Sequence, residues 1–103
     1  MGTINKTDKK NLLSAAEMLK ILSHPVRLSI LCDLLHEGEM SAGQIFDAHE
    51  KQASASQVSQ YLAEFRRRKY VKARKMGQNV YYSFASPTIR AIMDVLYKEF
   101  CQK

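Results

Sequence analysis

The chain carries two cysteines in 103 residues, Cys32 and Cys101, 69 positions apart. That is too few for a disulfide scaffold, and in a reducing cytosol both are expected to rest as thiols. Long apolar runs are also missing. None exceeds three residues, whereas a membrane-spanning helix needs about 20, so no membrane partner is expected. The first ten residues are polar, and the apolar stretch after them is broken by Ser14, Glu17 and Lys20. This pattern excludes a secretory leader core and points to a cytoplasmic location. No glycine-rich phosphate loop, metal triad or nucleophile–base pattern occurs, so an enzyme is not expected.

What is present is ordinary globular material, 46% hydrophobic and 25% charged, which excludes wholesale disorder. The length suits one domain, which buries only about two-thirds of its unfolded surface, so further burial by self-association is in keeping. The charge is unevenly placed. Residues 1–50 carry a net −2, residues 51–90 a net +8, and residues 91–103 none. Most of the excess lies in Arg66, Arg67, Arg68, Lys69, Lys72, Arg74 and Lys75. Such a run is either a solvated basic face or a polyanion-binding surface, because clustered Lys and Arg release counterions from nucleic acid.

Residues 1–10 read as a flexible, charged arm, and residues 11–103 as the folded domain. Apolar residues recur at helical spacing from Asn11 to about Leu22, on more than one face. Ser23 reads as an N-cap and Pro25 as the first turn of a second helix, which Gly38 ends. Ser41 caps a short third helix to about His49. Ser54 or Ser56 caps a fourth reaching about Lys69, with Val58, Leu62 and Phe65 on its apolar face. Val71 to Met76 and Val80 to Phe84 alternate as strands around Gly77-Gln78-Asn79, a hairpin. Ser86-Pro87 starts a last helix to about Cys101 with a continuous stripe of Ile89, Ile92, Met93, Leu96 and Phe100, which Val95 and Tyr97 widen beyond what one core contact needs.

Four helices, a basic hairpin and a fifth helix describe a mainly α winged helix-turn-helix, α-α-α-α-β-β-α. The fourth helix would enter the major groove of double-stranded DNA, with Ser56, Gln57, Ser59 and Gln60 facing the bases and Arg67, Arg68, Lys72, Arg74 and Lys75 on phosphates. The over-wide surfaces of the first and last helices predict a homodimer built on Leu12, Ala16, Leu19, Ile92, Leu96 and Phe100. Its two-fold axis would match an inverted-repeat operator.

The segments LKILSHPVRLSIL (19–31), SASQVSQYLAEFRRRKYV (54–71) and GQNVYYSF (77–84) resemble the ArsR/SmtB-type bacterial repressors. The likeness runs from about residue 12 to the end. It departs at Tyr61, where many relatives carry His. Metal-sensing relatives often place Cys-x-Cys at the third helix, where Ser41 and Gly43 stand here. Others pair Asp and His with His and Glu on the last helix, which here offers Asp94 and Glu99. Neither usual site is present, so no metal and no cofactor is expected. ILCDLL and LYKEFCQ look instead like the thiol-based (BigR/SqrR/HlyU-like) branch. That resemblance implies a redox-sensing pair, Cys32 and Cys101, joined by a disulfide or polysulfide when reactive sulfur species or oxidants arrive, with release of operator DNA.

Read from spacing alone, both cysteines are small apolar residues flanking helix stripes. Lys98 and Lys103, and His36 four residues after Cys32, are the groups available to assist them. Two rivals stay open: a metal-responsive repressor using Cys32 and His36, and an interaction module that kept the fold without a switch. His24 reads as a structural residue at a helix start and His49 as exposed. Tyr81 and Tyr82 read as wing packing residues, one of them facing solvent or phosphate.

Overall fold

The computed structural model describes residues 5–101. The order is α1 (Lys6–Leu22), α2 (Pro25–Glu37), β1 (Met40–Ser41), α3 (Ala42–Ala48), α4 (Ala55–Arg67), β2 (Val71–Met76), β3 (Asn79–Phe84) and α5 (Pro87–Leu96). A π-helical turn, Tyr97–Cys101, continues α5. This is the expected winged helix-turn-helix, with two additions: the strand β1 and the π turn.

Helix α1 starts earlier than the sequence suggests. The Asn5 side chain accepts a hydrogen bond from the Asp8 amide at 2.8 Å, and Asp8 faces the positive end of the helix dipole. Residues 6–10, expected in the arm, are therefore helical, and residues 1–4 of that arm lie outside the described residues. The cap of α2 is His24 rather than Ser23. Its Nδ1 accepts from the Val26 amide at 3.2 Å, while Ser23 closes α1 through bonds to Leu19 and Lys20.

The core lies where α2, α3, α4 and α5 converge. Ile30, Leu31, Leu34, Ile45, Val58, Phe65 and Ile89 are fully buried there. Helix α4 ends in a Schellman arrangement, with the Tyr70 amide bonded to the Phe65 carbonyl and the Lys69 amide to that of Arg66. It needs a left-handed residue, and Lys69 takes it at φ +64°, a position that usually falls to glycine.

Chain reversal at the wing is tight. Met76 pairs with Asn79, so the loop is Gly77-Gln78, and Gly77 supplies the positive φ of 62°. The sheet has three antiparallel strands in the order β1-β3-β2. Strand β1, two residues long, pairs Met40 with Tyr82 and Ser41 with Tyr81. It fastens the base of the wing to the end of α2. No described helix is long and apolar enough to cross a membrane.

Candidate nucleic-acid interface and thiol pair

Helices α3 and α4 begin in the same way. Ser41 Oγ accepts from the Gln44 amide at 3.1 Å, and Gln44 Oε1 accepts from the Ser41 amide at 2.9 Å. Ser54 and Gln57 repeat the pattern at 3.1 and 2.9 Å. Each is a capping box, which satisfies orphan amides at both ends of the first turn. Ser54, not Ser56, is thus the cap of α4. Val58, Leu62 and Phe65 face inward, so Ser56, Gln57, Ser59 and Gln60 are all left exposed. Of these, Gln57 has its carbonyl oxygen committed to the cap, which leaves its amide nitrogen for a base or phosphate.

Tyr61 departs from the family pattern but packs on the LSHPVR segment. Its ring centroid is 5.3 Å from that of His24, and the Arg27 guanidinium lies 5.0 Å above it. Tyr61 therefore joins the start of α2 to the middle of α4.

The turn between α3 and α4 is built on His49. Expected to be exposed, His49 is 2% exposed. Its Nδ1–H donates to the Ile45 carbonyl at 2.8 Å. Ser29 Oγ and Asp33 Oδ2 on α2 each lie 3.2 Å from Nε2. Its carbonyl accepts the Gln52 and Ala53 amides. A polar ring survives burial because every edge is met. Sequence spacing offered no signal, since its side-chain partners lie 16 and 20 residues upstream.

The cations divide into engaged and free. Arg67 and Arg68 both donate to Glu64, and Arg68 also reaches Glu17 on α1 at 3.0 Å. These bonds, Arg68 first, hold the Glu64 carboxyl below the usual carboxylate range. Arg74 donates to Glu39 at 2.8 and 3.4 Å. Lys72 and Lys75 are exposed and make no ion pair among the described residues. Arg67 and Arg68, expected on phosphates, stand at i+3 and i+4 from Glu64 on one helix, and that spacing was the signal for these pairs. The Glu39 pair had no such signal, because Arg74 is 35 residues away.

Cys32 on α2 and Cys101 at the end of the π turn meet, with Sγ–Sγ 3.4 Å. A disulfide bond of about 2.05 Å requires an approach of roughly 1.4 Å more. Burial, and next the contact with Cys101, push the Cys32 thiol up to about 11, so it is protonated near neutrality. Cys101 is exposed. Both sulfurs lie on the wall of an open, mainly apolar cavity of about 700 Å³, lined also by Leu28, Met93, Leu96 and Phe100. His36 turns to the Tyr97 hydroxyl at 3.1 Å. No cluster of three His, Cys, Asp or Glu side chains suited to a metal ion occurs among the described residues.

The residues expected at a dimer interface divide between the two helices. Leu12, Ala16 and Leu19 on α1 are exposed, as is Phe100 in the π turn, at 76%. Ile92 and Leu96 are half-buried against the core. Only Leu22 of α1 is buried.

No family model matches the chain. Among curated proteins it is similar to the transcriptional activator HlyU of Vibrio cholerae, 37% identical over 94 residues, covering 91% of this chain and 84% of that protein. It is similar also to the biofilm growth-associated repressor of Xylella fastidiosa, 34% identical over 95 residues, covering 90% and 79%. Among solved structures, reduced HlyU from Vibrio cholerae superposes with a TM-score of 0.85 at 36% identity, covering 95% of this chain and all of that one. BigR from Xylella fastidiosa gives 0.77 at 31%, covering 91% and 90%. These relatives are regulators of transcription and not enzymes. With that fold, those capped helices and that basic wing, the chain belongs to the ArsR/SmtB family of winged-helix DNA-binding transcriptional regulators.

Proposed function

We propose that this regulator is a homodimeric repressor that reads the state of its own thiols. One observation carries the reading: the 3.4 Å contact between Cys32 and Cys101, residues from distant parts of the chain on two elements that a bond would tie together. In the reduced state, α4 lies in the major groove of an inverted-repeat operator. Ser56, Gln57, Ser59 and Gln60 face base edges, and Arg67, Arg68, Lys72, Arg74 and Lys75 lie along phosphates. Helix α1 supports the dimer. A 17-residue helix burying one residue lacks the packing that sustains helices in water. A second copy against Leu12, Ala16, Leu19, Ile92, Leu96 and Phe100 supplies it.

The exposed Cys101 meets the effector first. Its thiolate takes the terminal sulfur of a persulfide RSSH, giving Cys101–SSH and releasing RS⁻, which takes up a proton. The Cys32 thiol then gives up its proton and attacks Sγ of Cys101. The S–S bond forms as hydrosulfide leaves and is protonated to hydrogen sulfide. With a hydroperoxide, Cys101 becomes a sulfenic acid and the alcohol departs. Cys32 then closes the same bond with loss of water. A second RSSH can pass its terminal sulfur to Cys101–SSH with release of RSH; Cys32 then attacks the middle sulfur, hydrogen sulfide leaves, and the resulting trisulfide is longer by about 2 Å.

The bridge fixes α2 to the end of α5 and changes how the two reading heads are set. Allosteric coupling of about 1–3 kcal/mol lowers operator affinity roughly 5–150-fold. The test compares operator binding by reduced and persulfide-treated protein, with intact mass confirming the bridge. Equal affinities at full bridging overturn the switch.

A further inference from the structure

The structure assigns a specificity role to Glu39, as the positioning residue that presents Arg74 to DNA. The inference rests on the reading that the wing contacts DNA. Glu39 follows Gly38, whose φ of 82° turns the chain out of α2. Strand β1 begins at the next residue. Its Ser41 is in register with Tyr81 on β3, and Tyr81 with Arg74 on β2. Glu39 thus reaches across the sheet. Arg74 Nη2–H donates to Oε1 at 2.8 Å and Nε–H to Oε2 at 3.4 Å. The guanidinium lies 5.1 Å over the Tyr81 ring. One edge of the fork is held by the carboxylate and one face by the ring. Nη1 is left without a protein partner among the described residues. The Arg74 contact, with Lys72 nearby, keeps the Glu39 carboxyl below its usual range, so it stays charged.

A free arginine samples many rotamers and finds a phosphate on any duplex. A held one has already lost that freedom and reaches only DNA whose backbone or groove lies at its fixed position. Glu39 therefore lowers affinity for DNA in general and favours the fitting duplex, which is discrimination by penalising the wrong partner.

The test uses the full-length reduced protein. Its probes are a duplex of about 30 base pairs that the protein itself selects from a random pool, and a shuffled duplex of the same composition. Glu39→Ala is expected to bind the shuffled duplex roughly threefold to tenfold more tightly, and to steepen the dependence of log affinity on log salt by up to about one. The selected-over-shuffled ratio should fall at least threefold. In an Arg74→Ala background, Glu39→Ala should leave that ratio where Arg74→Ala sets it. Partial unfolding lowers both affinities together and cannot move the ratio. An unchanged ratio in Glu39→Ala, or an equal change with Arg74 already removed, overturns the assignment. If Arg74→Ala leaves every affinity unchanged, the wing contact fails and the role of Glu39 with it.

Discussion

The reading half of the protomer and its thiol face are finished to different degrees. Around α3, α4 and the wing, several polar groups have partners: two capping boxes, Glu64 against two arginines, Glu39 against Arg74, and a buried His49 bonded on every side. The face formed by α1, α5 and the π turn is apolar and open, with Leu12, Leu13, Leu19, Val95 and Phe100 all more than half exposed. One half is completed within the protomer. The other is left uncovered by the protomer, and it adjoins the two sulfurs. The proposed switch would place its covalent change on this open side, next to a half that the protomer already completes.

The comparison breaks first at the core. Phe65→Ala should cost about 3–5 kcal/mol, whereas Phe100→Ala, at a 76% exposed site, should leave the stability of an isolated protomer nearly unchanged. Urea denaturation at low protein concentration reads both. A large loss at Phe100 under those conditions would mean that the face is finished within the protomer.

Next comes the protonation of Cys32, whose thiol is raised from an ordinary 9.0 to about 11. The folded state holds this proton more firmly than the unfolded one. The stabilisation is complete below pH 9 and is lost as pH rises through 11. Alkylation of Cys32 should therefore accelerate about tenfold per pH unit beyond pH 8 and level off only near 11. A plateau at pH 9 or below would contradict the burial of that thiol.

Leu19→Glu places a charge on the apolar face of α1. Dimerisation should weaken at least tenfold, about 1.4 kcal/mol, with the protomer still folded. Sedimentation equilibrium with circular dichroism separates the two, and a dimer of unaltered strength would move the interface elsewhere.

The smallest effect falls on the reader. Ser54→Ala removes one member of a capping box and should cost about 1 kcal/mol. Ser56→Ala should cost far less in stability, because Ser54 holds the cap. Equal losses would undo that distinction.

Local pattern explains what was readable beforehand. Val58, Leu62 and Phe65 recur at helical spacing, so the buried face of α4 follows from the sequence. The hairpin follows from alternation and a glycine that tolerates positive φ, although Asn79, expected in its turn, pairs with Met76 as the first residue of β3. Strand β1 was not visible, because two residues carry no periodicity and their pairing depends on β3. His49 was misplaced for the same reason: a lone polar residue reads as exposed until its distant partners are known. The early start of α1 was hidden in a charged segment whose only cue was Asn5 ahead of Asp8.

By itself the sequence determined the winged-helix class, the basic segment, the exposed polar face of α4 and the presence of two cysteines, because each is written in neighbours a few residues apart. Only tertiary structure decided that the sulfurs touch, that Glu39 grips Arg74, and that His49 is enclosed. Each of these depends on bringing together elements far apart in the chain, and that is set by how the shared core packs rather than by any local preference.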